Sequence, residues 1–219
     1  MSHSDRMDEK RAIILATASV ANDRIHTLAK FAAGKSTLNV GCVGTMSAGG
    51  IDAKALARHA RIAAAAAECT GLDIEAEGVE ELRRRGYHAL VGDACSCTLG
   101  RKFDAIIAGE VIEHVSNAGQ FFSNMRRHLT SSGIFAVSTC NPFSPKRFWK
   151  ILRYGHPCVH PEHTAWYDPV TLMGLGIRCG LCPRQLIWIQ EPAGLDLRVW
   201  PRVLRRYLAD NFVLAFSIA

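Results

Sequence analysis

The chain has 219 residues, 48% of them apolar and 21% charged, with 26 basic against 20 acidic side chains for a formal charge of +6. These proportions exclude a disordered or fibrous chain and suit one globular domain. The charge permits an anionic ligand without requiring nucleic acid. No apolar run approaches the roughly 20 residues that span a bilayer. Near the C-terminus the longest is Phe212–Phe216.

In chain order, Met1–Arg11 is polar, carries both Asp and Arg, and lacks the apolar segment of an export signal. The eight cysteines are therefore expected as reduced thiols in a cytoplasmic protein. Ala12–Phe31 shows helical spacing, with a break expected at Asn22–Asp23, and Gly34 suits a helix end. Thr37–Val43 reads as a first strand, Ala53–Ala67 as an alanine-rich helix with Lys54, Arg58 and Arg61 on one face, and Glu68–Ile74 as a second strand. A short helix (79–85), strands at 88–91 and 103–108, a helix at 118–129 and a fifth strand at 134–138 follow. Strands alternating with helices at this pitch predict an α/β fold, with a mainly parallel sheet covered on both faces, so that strands read as continuous apolar runs.

Residues 141–168 break the pattern. Four prolines (Pro142, Pro145, Pro157, Pro161), the aromatics Phe143, Phe148, Trp149, Trp166 and Tyr167, and the histidines His156, His160 and His163 make this too long for a plain connection. It reads as a lid-like insertion whose aromatics line a pocket for a planar or apolar acceptor or pack the insertion down. Beyond it lie a helix over 169–180, a strand over 186–190, a basic amphipathic helix over 200–208 and a last strand over 211–218.

Ligands of open parallel sheets bind at the carboxyl ends of the strands. Four strand ends carry the residues to watch. The first is Asn39-Val40-Gly41-Cys42-Val43-Gly44-Thr45, a glycine-rich turn without dinucleotide or P-loop spacing. The second is Asp73, followed by Ile74, where a carboxylate can accept from ribose hydroxyls; its separation from Gly41, 73 − 41 = 32, exceeds the ~20 of nicotinamide sites. The third is Gly92-Asp93-Ala94, suited to an adenine edge. The fourth runs from Phe103 to Val115 and ends in Glu110, Glu113 and His114.

Together these elements resemble the class I S-adenosylmethionine-dependent methyltransferases over about residues 35–190. The run Phe103–Val115, with Gly133-Ile134-Phe135 and Thr139–Phe143, is similar to the small-molecule subgroup with a Glu-His-Val element after the fourth strand. Pro161-Glu162-His163 and Trp166-Tyr167-Asp168-Pro169 extend the likeness. The resemblance implies a Rossmann-like seven-stranded sheet with a short insertion after strand five, all within one domain (1–219), and S-adenosyl-L-methionine as cofactor. It places Asn39, Gly41 and Cys42 at the methionine moiety, Asp73 at the ribose, Asp93 and Ala94 at the adenine and Glu110 beside the cofactor, with Ile74 also among the cofactor-binding residues. His114 faces the acceptor. The family pattern Asp-x-Gly-x-Gly-x-Gly is altered here: Asn39, Val43 and Thr45 stand where it has Asp, Gly and Gly.

The expected activity is methyl transfer to an oxygen or nitrogen of a small-molecule acceptor, with His114 or His163 removing a proton where the acceptor requires it. Two alternatives stand beside it. The basic clusters at 83–85, 146–153 and 198–206 would suit an RNA or protein methyltransferase, although no RNA-binding module is present and solvated helix faces account for them. The altered glycine loop would suit a non-catalytic protein with a degenerate cofactor site. Cys179-Gly-Leu-Cys182 has zinc or redox spacing, but Cys95-Ser-Cys97 does not complete a metal set, so no metal site is expected and packing is the simpler reading. Oligomeric state is left open.

Overall fold

A computed structural model describes residues 3–44, 46–47, 50–190 and 208–219. Seven helices and ten strands follow one another as α1 (His3–Ala16), β1 (Ser19–Ala21), α2 (Arg24–Ala32), β2 (Ser36–Val40), β3 (Met46–Ser47), β4 (Gly50–Ile51), α3 (Ala53–Ala65), β5 (Glu68–Asp73), α4 (Ala76–Arg84), β6 (Ala89–Val91), β7 (Phe103–Gly109), α5 (Ala118–Arg127), β8 (Leu129–Cys140), α6 (Pro145–Tyr154), α7 (Pro169–Arg178), β9 (Leu181–Ile189) and β10 (Asn211–Ile218). The main sheet has the order β1-β9-β10-β8-β7-β2-β5-β6, and β3 and β4 form a separate hairpin. Within the main sheet only β10 runs antiparallel to its neighbours, β8 and β9.

Local chemistry sets most boundaries. The break in the first helical stretch falls at Asp23, whose carboxylate accepts from His26 N at 2.8 Å and caps α2. Asp52, Asn117 and Asp168 cap α3, α5 and α7 in the same way, the last with a reciprocal bond from Thr171. Pro145 opens α6, and Gly155 at φ 74° closes it.

Residues on β7 to β10 alternate between two buried clusters. Ile106, Phe135, Trp188 and Leu214 join one with α5 and α7, while Ile107, Ala136, Ile187 and Val213 join the other with α2 and α3. Both faces are covered, which is why the strands read as unbroken apolar runs.

The sheet has eight strands where seven were expected. The additional edge strand β1 has only three residues, hidden in the helical stretch, and pairs parallel to β9. The first predicted strand ends at Val40, and its last three residues leave the sheet. β9 begins at Leu181, five residues before the expected start. Its Pro183 is tolerated at a register shift opposite Ala215/Phe216, so the proline does not stop the strand. The basic helix expected over 200–208 lies outside the described residues except at position 208.

A third cluster holds the turn after β2. Cys42 and Val43 are buried with Ile51, Ala55, Val79 and Leu82. Val43 occupies a position that is glycine in the pattern of the resemblance, and α4 makes room for it. A Cβ on Gly78 would lie 2.2 Å from Val43 Cγ1. Gly78→Ala is therefore expected to destabilise the fold by about 1–3 kcal/mol through overpacking. In a Val43→Gly background that cost should shrink, leaving only the milder contact with Met46 Sδ at 3.0 Å. Denaturant melts of the four proteins check this, and equal costs in both backgrounds would refute the pairing.

Candidate active site at the strand ends

Strands β2 and β7 are parallel neighbours, paired from Thr37↔Ala105 to Val40↔Ala108. The chain leaves β2 toward β5 and leaves β7 toward β8, so the strand order reverses between them. That is the crevice where an open α/β sheet receives a ligand. Gly41 turns there with φ 70°, and a Cβ on it would stand 2.5 Å from Val111 Cγ2. Only glycine meets both conditions.

Two guanidinium groups and a carboxylate converge on the crevice. Arg58, from α3, donates from Nη2 to Gly41 O at 2.9 Å. Glu110 follows β7 in the left-handed region, φ 57°, with its N–H donating to Ser138 O at 3.0 Å. Among the described residues it is the only non-glycine with positive φ, a conformation that surrounding contacts must hold. Its carboxylate pairs with Arg24 of α2, whose Nε is buried without a hydrogen-bond partner. Sequence reasoning passed over both arginines. Arg58 shares a face with Lys54 and Arg61 that looks like solvated helix surface, and nothing in linear order shows that α2 and α3 reach one point.

Asn39 is buried, and its amide lies 2.8 Å from His59 Nδ1. Burial, reinforced by Arg58, pushes the His59 pKa down to about 4, so the ring is neutral and its Nδ1 accepts from the Asn39 amide. An aspartate at position 39 could not make that donation. Cys42 is buried, its thiol pushed up mainly by burial and also by Asp73.

Asp73 Oδ2 accepts from Val43 N at 2.8 Å and Oδ1 from Glu75 N at 3.2 Å, joining the ends of β2 and β5. Ile74 beside it is 68% exposed, an open apolar face at a strand end. Gly92 N donates to Asp73 O at 2.8 Å, which brings Asp93 next to that site. Asp93 accepts from Cys95 N at 2.8 Å and Ser96 Oγ at 3.1 Å, and Ala94 O accepts from Asn124 Nδ2 at 3.0 Å. Asp73, Ile74, Asp93 and Ala94 thus lie along two adjacent strand ends.

His114 closes a 3-10 turn, Ile112–His114, after β7. His163 lies against it across 49 residues of sequence, with ring centroids 4.7 Å apart. Burial lowers both histidines; Glu162 opposes this at His114, while His114 and His160 add to it at His163. Phe143, Phe148 and Trp149 do not close a pocket over this side; each is more than 60% exposed. Trp166 lies beneath the Arg147 guanidinium, 5.5 Å from its ring centroid. All eight cysteines are free: Cys179 Sγ reaches Gly119 O, and Cys182 Sγ takes a bond from Lys10 Nζ.

Glu113 is 2% exposed, and burial pushes its pKa up to about 7. Between the ordinary carboxylate range and pH 7 the folded protein holds a proton that the unfolded chain has released. Stability is then lost as pH rises through this window. Wild type should lose up to about 3 kcal/mol relative to Glu113→Gln between pH 5 and 8, read as diverging melting curves. Parallel curves would contradict the burial of an ionisable Glu113.

The family description "Methyltransferase domain" matches residues 38–137, from β2 into β8. A comparison with curated proteins finds no match in sequence. Among solved structures, the N-methyltransferase NodS of Bradyrhizobium japonicum WM9, in complex with S-adenosyl-L-homocysteine, superposes with a TM-score of 0.57 at 15% identity, covering 89% of this chain and 85% of that one. The CcbJ methyltransferase of Streptomyces caelestis gives 0.60 at 14%, covering 89% and 88%. Magnesium protoporphyrin IX methyltransferase of Synechocystis PCC 6803, with bound S-adenosyl-L-homocysteine, gives 0.57 at 13%, covering 99% and 84%. At these identities the structures establish the Rossmann-like fold alone, and the family match covers less than half of the chain. The run from β2 into β8 is similar to a methyltransferase domain, and the fold is the Rossmann-like one of these S-adenosylmethionine-dependent methyltransferases.

Proposed function

We propose that this enzyme methylates an oxygen or nitrogen of a small-molecule acceptor, a biosynthetic intermediate, at the β2/β7 crevice. The observation that carries the reading is the convergence of Arg24, Arg58 and Glu110 at one end of a line of strand ends and Asp73 and Asp93 at the other. S-adenosylmethionine has a zwitterionic amino-acid end and a neutral adenosine end. The buried, unpartnered Arg24 Nε suits its carboxylate, Glu110 its ammonium, the Asp73 carboxylate its ribose hydroxyls, and the exposed Ile74 a face of its adenine. When bound, the sulfonium supplies an electrophilic methyl group.

The chain's own part is to hold and orient. Arg58 fixes the Gly41 carbonyl, and with it the turn against which the amino-acid end would lie. His114 and His163 stand on the acceptor side, and a neutral imidazole there can take the proton of a hydroxyl acceptor. Residues 141–168 serve as the lid of a single domain, and the coil after α6 carries His163 to His114. NodS is an N-methyltransferase and the Synechocystis enzyme acts on magnesium protoporphyrin IX, both in keeping with a small acceptor. No described helix is long and apolar enough to cross a membrane. Eight free thiols suit a reducing compartment, and we assign the protein to the cytoplasm.

Methyl-labelled cofactor, incubated with the enzyme and a cell extract, should place label in the low-mass fraction. Label confined to RNA or protein would reject the reading, as would the absence of S-adenosylhomocysteine binding up to millimolar concentration. Asp73→Ala should weaken S-adenosylhomocysteine binding by about 1.5–3 kcal/mol, because it removes acceptors for both the ribose and the Val43 N–H. Asp73→Asn, which retains one oxygen for Val43, should lose less. Calorimetry on folded variants decides, and unchanged affinity in Asp73→Ala would show the site is elsewhere. Because burial lowers both histidines, NMR titration should find His114 and His163 changing charge below pH 6.5, leaving both neutral at pH 7. A midpoint above 6.5 for either would remove it as a base poised in its neutral form.

A further inference from the structure

The acceptor side holds a third histidine, His160, with Glu162 beside it, that the methyl-transfer reading leaves unexplained. His114 comes from the turn after β7, whereas His160 and His163 come from the coil between α6 and α7. A backbone clamp joins the two loops. Thr164 N and Oγ1 both donate to Glu113 O, at 2.8 and 3.1 Å, and Thr164 Oγ1 also reaches Val115 O at 3.0 Å. His163 N donates to His160 O at 3.0 Å, closing a turn that turns both imidazoles toward His114. One ligating atom from each ring lies within 4.8 Å of the other two. Glu162 Oε2 stands 3.7 Å from His114 Nδ1 and 3.9 Å from His160 Nδ1, too far for hydrogen bonds. His163 Nδ1 is buried without a hydrogen-bond partner.

We propose that His114, His160 and His163, with Glu162 as an exchangeable fourth ligand, bind a divalent transition-metal ion of the zinc class. A tetrahedral ion with metal–nitrogen bonds of about 2.0–2.1 Å sets its ligand atoms roughly 3.3 Å apart. Drawing in three partly exposed side chains from a 4.8 Å limit requires rotation about their own bonds and leaves the clamped backbone in place. Three imidazoles select zinc, cobalt or nickel over magnesium and calcium, which prefer oxygen donors. Glu162, 69% exposed, is the ligand an incoming group would displace.

For the reaction, this deepens the proposed function and rests on it, with His114 and His163 holding the ion in place of taking the proton: the acceptor is an oxygen nucleophile, an alcohol, phenol or vicinal diol. Ligation lowers the pKa of its hydroxyl, and the proton leaves to the displaced Glu162 or to solvent. The oxygen lone pair then forms the new C–O bond. The electrons of the breaking C–S bond return to sulfur, giving a methyl ether and S-adenosylhomocysteine.

The test uses the full chain, stripped with chelator and titrated with Co²⁺ and Zn²⁺ by calorimetry and visible absorption. One equivalent should bind, with the strong absorption of four-coordinate cobalt. His160→Ala should weaken binding by at least about 100-fold, the upper end of what even an outer-shell partner contributes. The same variant should keep wild-type affinity for S-adenosylhomocysteine, which shows that it is folded. Wild-type metal affinity in His160→Ala, thiolate-to-cobalt absorption, or no binding by the wild type would overturn the site. Metal binding in a protein that does not bind S-adenosylhomocysteine would leave the site standing and remove the methyl-transfer reading instead.

Discussion

Strands β2 and β7 lie side by side, and at their carboxyl ends the chain departs from them in opposite directions. Everything at the site depends on how closely those two departures pass. Gly41 and Val111 meet there with no space for a Cβ on the glycine, and the left-handed turn at Gly41 is answered across the gap by the left-handed Glu110. The crevice is therefore narrow and rigid on its floor. The groups that can act in it arrive from helices and loops placed around it.

The charges follow from this geometry. α2 and α3 cover the same face of the sheet and bring Arg24 and Arg58 to the crevice mouth, where Glu110 offsets part of the positive charge. The next strand ends contribute Asp73 and Asp93. Between the two sets the site offers both signs at one end and hydrogen-bond acceptors at the other, a pattern suited to a long ligand with a zwitterionic head. The altered glycine loop fits the same arrangement. Val43 is housed by Gly78, and Asn39 by the neutral His59, so two of the three departures from the family pattern have a matching partner elsewhere in the chain.

Around the three histidines, order comes from hydrogen bonds to backbone carbonyls. Thr164 ties the coil before α7 to the turn after β7, and this holds three imidazoles together that are separated by up to 49 positions. Glu113, next to His114 in sequence, is buried, its carboxyl shifted toward neutrality by loss of water.

The order of helices and strands was legible because it is written locally. Apolar spacing, the break at Asn22–Asp23, and the glycines and acids at strand ends all act within a few residues of one another. The edge strand β1 and the start of β9 were not legible, since a three-residue strand and a strand containing Pro183 are stabilised only by their neighbours in the sheet. By itself, the sequence determined the fold class, the strand-end residues Gly41, Asp73, Asp93 and Glu110, and the resemblance they carry. Only the tertiary structure decided that Arg24, Arg58 and Glu110 share one crevice, that Asn39 belongs to His59, and that His160 joins His114 and His163. Those meetings depend on the order of strands in the sheet and on a single clamped loop, and contacts between residues far apart in sequence leave no periodic trace along the chain.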